Sequence, residues 1–246
     1  ALPIWQVYCW GGSGRGQIGD GSKEDKWIPK CLRFPSKVIA IAAGYEHCLA
    51  VLATGRLYAW GKGEDGQLGI GRNQDTAVPT LVDNVESVVQ CSAGDEHSAC
   101  ICRWRDHEGR PCNQLYTWGS TDMGKLGIGT EAFKMTEVGP TLVGGGGHGQ
   151  VSGGFDRDWN NPVFVACGQF HTAVLCAGTG REVDEKNPCG RVHTWGGGWY
   201  GRLGHGDQDN KYFPQLVEDL HPIVRSIACG SYNTCAITFE KDCKEP

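Results

Sequence analysis

Three histidines stand at the same place in successive stretches of this chain. His47, His97 and His171 each follow a small residue and a glycine: Ala43-Gly44, Ala93-Gly94 and Cys167-Gly168. Histidine suits proton transfer near neutral pH and zinc ligation. A fourth stretch, Cys229-Gly230, carries Asn233 at the equivalent position. Asparagine can donate the same hydrogen bond but is a poor zinc ligand, so the position reads as scaffold, bonded to loop backbone or to a neighbouring repeat. A looser zinc set of His97, Cys100, Cys102, His107 and Cys112 matches no standard ligand spacing. G-x-S-x-G, H-E-x-x-H and C-x-x-C are all missing. The expectation is a chain that is not an enzyme, with no catalytic residue, no metal site and no cofactor.

Three G-x-G-x-x-G stretches invite a nucleotide: Gly14-Gly16-Gly19, Gly61-Gly63-Gly66 and Gly196-Gly198-Gly201. A dinucleotide site needs that turn between a strand and a helix N-terminus, with an acid some 20 residues on. None of the three opens a helical pattern, so they read as repeat loops. Gly16 to Gly21-Ser22-Lys23 inverts the Lys-Ser order of a phosphate loop and fails for the same reason.

Thirteen cysteines are present. Cys167 and Cys229 stand where Ala43 and Ala93 stand, as small core residues. Cys102 and Cys112 bracket one insertion and Cys176 and Cys189 bracket another, at equivalent repeat positions. A disulfide at the base of each enlarged hairpin would limit the inserted loop's freedom; buried thiols paired by coincidence are the other reading. No N-x-[ST] acceptor occurs, which favours an intracellular over a secreted chain. The first ten residues lack a basic stretch followed by an apolar core, and no run approaches a membrane span.

These residues sit in a frame set by tryptophan and glycine. Trp10, Trp60, Trp118 and Trp195 each open the pattern W-G-x4-G-x-[IL]-G-x-G, with Ile18, Leu68, Leu126 and Leu203 at the branched position. Pro29, Pro79, Pro140 and Pro214 then precede short apolar segments, followed by a β-branched run up to the small-Gly pair. Each repeat offers four apolar runs of strand length split by Gly, Pro, Asn and Asp, with no helical period. In the second repeat they are Leu57–Trp60, Thr80–Val82, Ser87–Ala93 and His97–Cys102. Four strands recurring at about 50 residues read as propeller blades, and the Trp and the Ile/Leu eight residues on would pack between them. The expected fold is all-β: a β-propeller of four-stranded antiparallel blades, one domain over residues 1–246. Its repeats fall at about 7–56, 57–114, 115–191 and 192–239, with insertions at 103–113, 139–162 and 177–190.

The W-G block followed by the small-Gly-x-x-His block resembles the regulator of chromosome condensation repeat family. That resemblance implies a propeller, usually of seven blades, whereas this chain holds four repeats. It opens on the third strand of a blade (Val7–Trp10) and closes on the second (Asn233–Thr238). This phase fits either a segment of a seven-bladed ring, the favoured reading, or a closed four-bladed ring whose ends share one blade. The founding member's activity implies a runner-up function, guanine-nucleotide exchange on a small GTPase. Photoreceptive members carry G-W-R-H-T; the matching stretches here, such as Gly44-Tyr45-Glu46-His47-Cys48, lack the Trp-Arg pair, so photoreception is not expected.

The leading expectation is a non-catalytic protein–protein interaction scaffold, part of a larger protein or assembly. With 23 basic against 28 acidic residues and no Lys/Arg cluster, a nucleic-acid partner is disfavoured. Loops distinguish one propeller from another, and Trp, Tyr and Arg dominate binding hot spots. The candidates are Arg103, Trp104, Arg105 and Asp106 on one insertion, Phe155, Asp156, Arg157 and Trp159 on another, and Trp199 and Tyr200 in a repeat loop.

Overall fold

The computed structural model describes residues 6–105, 108–109, 112–129, 136–144, 161–177, 190–220 and 224–238. Among these residues, sixteen strands follow the repeat. A two-stranded sheet comes first, β1 (Gln6–Gly11) with β2 (Lys26–Arg33). Three four-stranded meanders follow. They are β3 (Val38–Ala43), β4 (His47–Leu52), β5 (Leu57–Gly61) and β6 (Thr76–Val82); β7 (Val88–Ala93), β8 (His97–Cys102), β9 (Gln114–Ser120) and β10 (Thr136–Leu142); and β11 (Pro162–Cys167), β12 (His171–Cys176), β13 (Arg191–Gly196) and β14 (Lys211–Leu216). A second two-stranded sheet, β15 (Val224–Cys229) with β16 (Thr234–Thr238), closes the order. All pairings of these strands are antiparallel. Among the described residues there is no α-helix, and no helix is long and apolar enough to cross a membrane.

The repeat extends to geometry that composition does not show. Every inner strand slips register after its first residue, at Val38/Ala40, Val88/Gln90, Pro162/Phe164 and Val224/Ser226. A bulge raises local twist, so the four inner strands leave the axis in the same way. They neighbour one another in series, β3 against β7, β7 against β11 and β11 against β15. The prolines expected just ahead of the outer strands lie inside them: Pro29 in β2, Pro79 in β6, Pro140 in β10 and Pro214 in β14. The outer strand is the sheet edge, where a missing N–H costs no ladder bond. Since β10 runs to Leu142, the insertion expected from residue 139 begins beyond that strand.

The core lies between blades. Leu49, Val51, Leu57 and Leu68 of one blade meet Val88, Cys91, Cys100 and Trp118 of the next. Ala99, Ile101 and Leu115 meet Val165, Val174 and Trp195, and Leu175 and Val192 meet Val224 and Ile227. Middle strands are covered on both sides, which is why β8 and β12 are buried at every position and read as continuous apolar runs. Burying each large side chain contributes about 1.5–3 kcal/mol. Among the described residues the first and last half-blades form separate two-stranded sheets.

Candidate interaction face

Pairing of the second and third strands sets His47 opposite Gly61, His97 opposite Gly119 and His171 opposite Gly196. Each histidine therefore stands beside the glycine of a Trp-Gly pair, at one end of its blade. His47 Nε2 lies 2.8 Å from Ser98 Oγ of the next blade, His97 Nε2 2.9 Å from Thr172 Oγ1, and His171 Nε2 2.9 Å from Thr234 Oγ1. These hydroxyls donate onward to the carbonyls of Gln67, Lys125 and Arg202, each at 2.8 Å. A hydroxyl has one proton, so each must accept from the imidazole, which fixes the Nε2–H tautomer. The same carbonyls receive tryptophan: Trp118 Nε1 donates to Gln67 at 2.9 Å and Trp195 Nε1 to Lys125 at 3.0 Å. Trp60 Nε1 donates likewise to Gln17 at 2.9 Å. Histidine, hydroxyl, loop carbonyl and indole thus form a complete relay at two interfaces, through Gln67 and Lys125, while among the described residues the Gln17 interface lacks the histidine and hydroxyl and the Arg202 interface lacks the indole.

Burial makes these histidines poor bases. Desolvation, with Lys62 nearby, lowers His47 to about 4, and desolvation with Arg202 does the same to His171. His97 is pushed well below the ordinary histidine value by burial first and Lys125 second. Their Nδ1 atoms are buried without a partner, so added protons would have no acceptor. The scaffold role expected from Asn233 is what the geometry shows, with the bonds running between blades.

Above the relay the face changes character along the chain. Backbone bonds from Lys62, Ser120 and Gly197 tie each Trp-Gly loop to the turn between the first two strands, at the carbonyls of Glu46, Glu96 and Phe170. Lys62 Nζ pairs with Asp65 at 2.8 Å. Lys125 is fully buried, 3.5 Å from Glu96 and 5.4 Å from the Phe170 ring centroid. Burial lowers its pKa while Glu96 opposes that shift. Arg202 lies over Phe170 at 5.7 Å and over Tyr232 at 5.1 Å, and its Nη1 donates to the Ser231 carbonyl at 2.9 Å. Tyr232 meets Tyr200 edge-on at 5.5 Å. Trp199, Tyr200 and Tyr232 are 50%, 76% and 54% exposed. Carboxylates paired with Lys62, Lys125 and Gln169 (Asp65, Glu96 and Asp95) thus give way along the chain to exposed aromatic rings.

The sequence candidates separate in space. Trp199 and Tyr200 join this face. Arg103, Trp104 and Arg105 follow β8 at its Cys102 end, away from the His97 turn, so they belong to the opposite face. There Trp104 is 54% exposed, Arg105 Nη1 donates to the Gly109 carbonyl at 2.7 Å, and Ser87 completes a shallow pocket. Asp106, Phe155, Asp156, Arg157 and Trp159 lie outside the described residues, as does Cys189. Cys102 and Cys176 are buried thiols, and the bridge considered between Cys102 and Cys112 is not formed; Cys102 Sγ instead sits 3.9 Å from Cys100 Sγ. Sequence reasoning missed Ser98, Thr172, Thr234, Lys125 and Arg202. A small residue after each histidine position and a long polar residue before each branched one were the available signals.

The regulator of chromosome condensation (RCC1) repeat matches residues 6–51, 54–101, 113–175 and 189–237, in register with these interfaces. The chain belongs to the RCC1-repeat family. It is 31% identical over 234 residues to the human probable E3 ubiquitin-protein ligase HERC6, covering 94% of this chain and 20% of that protein. It is 29% identical to the Arabidopsis thaliana ultraviolet-B receptor UVR8, over 96% of this chain and 47% of that one. Prp20p from Saccharomyces cerevisiae, solved in a study of its binding to Gsp1p and histones, superposes with a TM-score of 0.67 at 21% identity, covering 94% of this chain and 51% of Prp20p. This RCC1-repeat chain thus spans about half the length of UVR8 and Prp20p and a fifth of HERC6.

Proposed function

We propose that this RCC1-repeat chain is a non-catalytic scaffold that binds a protein partner through its relay-backed loop face. The observation that carries the reading is the exposed Trp199–Tyr200–Tyr232 group held by Arg202, aromatic area on a rigid mount. Preorganised aromatic and arginine anchors concentrate binding energy, while the buried, base-poor histidines beneath offer no general base. A photo-crosslinking residue at Tyr200 is expected to give discrete protein adducts in cell extract that are absent when it is placed at exposed Val78 on an outer strand. Equal labelling at both positions overturns the reading.

The second reading, nucleotide exchange on a small GTPase, is supported by family membership and by the Gsp1p binding named for Prp20p. Release of a fluorescent guanine nucleotide from a panel of small GTPases separates the two. The scaffold reading expects unchanged release; acceleration that is lost in Tyr200→Ala establishes exchange instead.

A further inference from the structure

The second strand of the middle complete blade, β8, carries two thiols on one face. Cys100 and Cys102 are two residues apart, and their sulfurs lie 3.9 Å from each other. Side chains alternate along a strand, so this spacing points both the same way, into a core cluster shared with Leu49 and Leu57 of the preceding blade. Complete blades flank this one on both sides, so its surroundings are set by described residues. The pair belongs to the second repeat. The first has Ala50 and Leu52 at these positions, and the third has Val174 and Cys176. Cys176 therefore stands where Cys102 stands, with valine in place of the second thiol.

The two sulfurs differ in their surroundings. Cys100 is 0% exposed, and burial raises its pKa well above the ordinary thiol value. Cys102, at the end of the strand, is 4% exposed. It accepts from Cys100 and, against the effect of burial, from the backbone N–H of Glu86, and these bonds hold its pKa below the ordinary value. Beyond it the chain turns out onto the Trp104 face. Arg103 N–H donates to the Ser87 carbonyl at 2.8 Å, and Ser87, Arg103, Trp104 and Arg105 line a cavity of about 310 Å³. Two guanidinium groups thus follow the thiol by one and three residues. Reactive thiols sit in electropositive, partly open surroundings, whereas thiols enclosed in an apolar core are inert. Cys176 is of the second kind, 1% exposed, with burial alone raising its pKa.

We infer that Cys102 is a modification site for small hydroperoxides, with Cys100 as the thiol that resolves it. The Cys102 thiolate attacks the terminal oxygen of the hydroperoxide, the O–O bond breaks, and the departing alkoxide or hydroxide takes up the Cys102 proton. Cys102 is then a sulfenic acid. Cys100 attacks that sulfur, the S–O bond breaks, and water leaves with the Cys100 proton, giving a Cys100–Cys102 disulfide. The two thiols lose two electrons and the hydroperoxide gains them. Two residues of strand rise about 6.4–6.8 Å, the upper limit for bridged Cα atoms, so the bond is readily reduced. The site lies on the face opposite the loops proposed above and is tested independently of them. The test treats the reduced 246-residue chain with hydrogen peroxide, alkylates it and locates each modification by peptide fragmentation. The expected result is a Cys100–Cys102 bond, reversed by dithiothreitol, that forms at least about 10-fold faster than Cys176 is oxidised. Cys100→Ala places alanine where the first repeat has Ala50, and should leave Cys102 as a sulfenic acid that dimedone labels. The mapping on the unsubstituted chain decides even where that variant fails to fold. Cys102 oxidised no faster than Cys176, a bond from either thiol to Cys91 or Cys112, or a folded Cys100→Ala chain without the dimedone label each overturns the inference.

Discussion

The relay makes stability depend on single hydroxyls placed between blades. Thr172 Oγ1 accepts from His97 and donates to Lys125, with both neighbours buried. Thr172→Val keeps the shape but orphans a buried N–H and a carbonyl lone pair, each worth about 1–3 kcal/mol. We expect a loss of about 2–4 kcal/mol by urea denaturation, and less for Thr172→Ser, which keeps the hydroxyl. The histidines add a pH dependence of definite sign. Their folded values, about 4 for His47 and His171, lie below the ordinary 6.5. Between those values the unfolded chain binds protons that the folded chain refuses, so stability falls as pH drops from about 6.5 toward 4, by about 1.4 kcal/mol per unit for each histidine. Above 6.5 this contribution is constant. Denaturation midpoints from pH 4.5 to 8 check it, and a midpoint that rises on acidification would contradict the buried neutral state.

At the scale of the element, the third glycine of each repeat separates local from packing costs. Gly69 has φ +68 and touches the Trp118 indole, whereas Gly204 has φ +77 and meets only Val217, at 3.3 Å. Both alanine variants incur the left-handed backbone penalty of about 1 kcal/mol, but only Gly69→Ala must also displace a buried ring. Gly69→Ala should therefore cost at least about 2 kcal/mol more in thermal unfolding; equal costs would mean that the indole contact carries little. This is also where the sequence was most legible. The four Trp-Gly blocks located the third strands, and the second repeat's strands at Leu57 and His97 begin where expected. Its outer strand does not: Thr76 precedes Pro79 by three residues, because an edge strand tolerates a residue that a sequence pattern treats as a breaker. The partners of the histidines were illegible for another reason. Ser98, Thr172 and Thr234 act on the blade before them, and a contact across sheets leaves no period along the chain.

For the whole molecule, stability is a sum of blades and interfaces, as in other stacked repeats. The three complete blades are covered by neighbours, while β1–β2 and β15–β16 each form a two-stranded sheet. Amide exchange should rank accordingly. Protection is expected to be greatest in β7, β8, β11 and β12, and to fall toward β1 and β16 by the opening energy of one interface. Uniform protection in the isolated chain would show that the half-blades are covered in solution. The same layout places Trp104 and the Trp199–Tyr200 pair on opposite faces, because Trp104 follows the second strand of its blade and Trp199 the third, and consecutive antiparallel strands end on opposite faces.

The relay also has a direction. Each histidine reaches the hydroxyl of the blade that follows it in the chain, and each loop carbonyl waits for a tryptophan encoded later. During synthesis on the ribosome, every blade therefore emerges before the groups that lock it. A nascent chain always carries one unsealed interface at its growing end, and each newly made repeat closes the gate behind it.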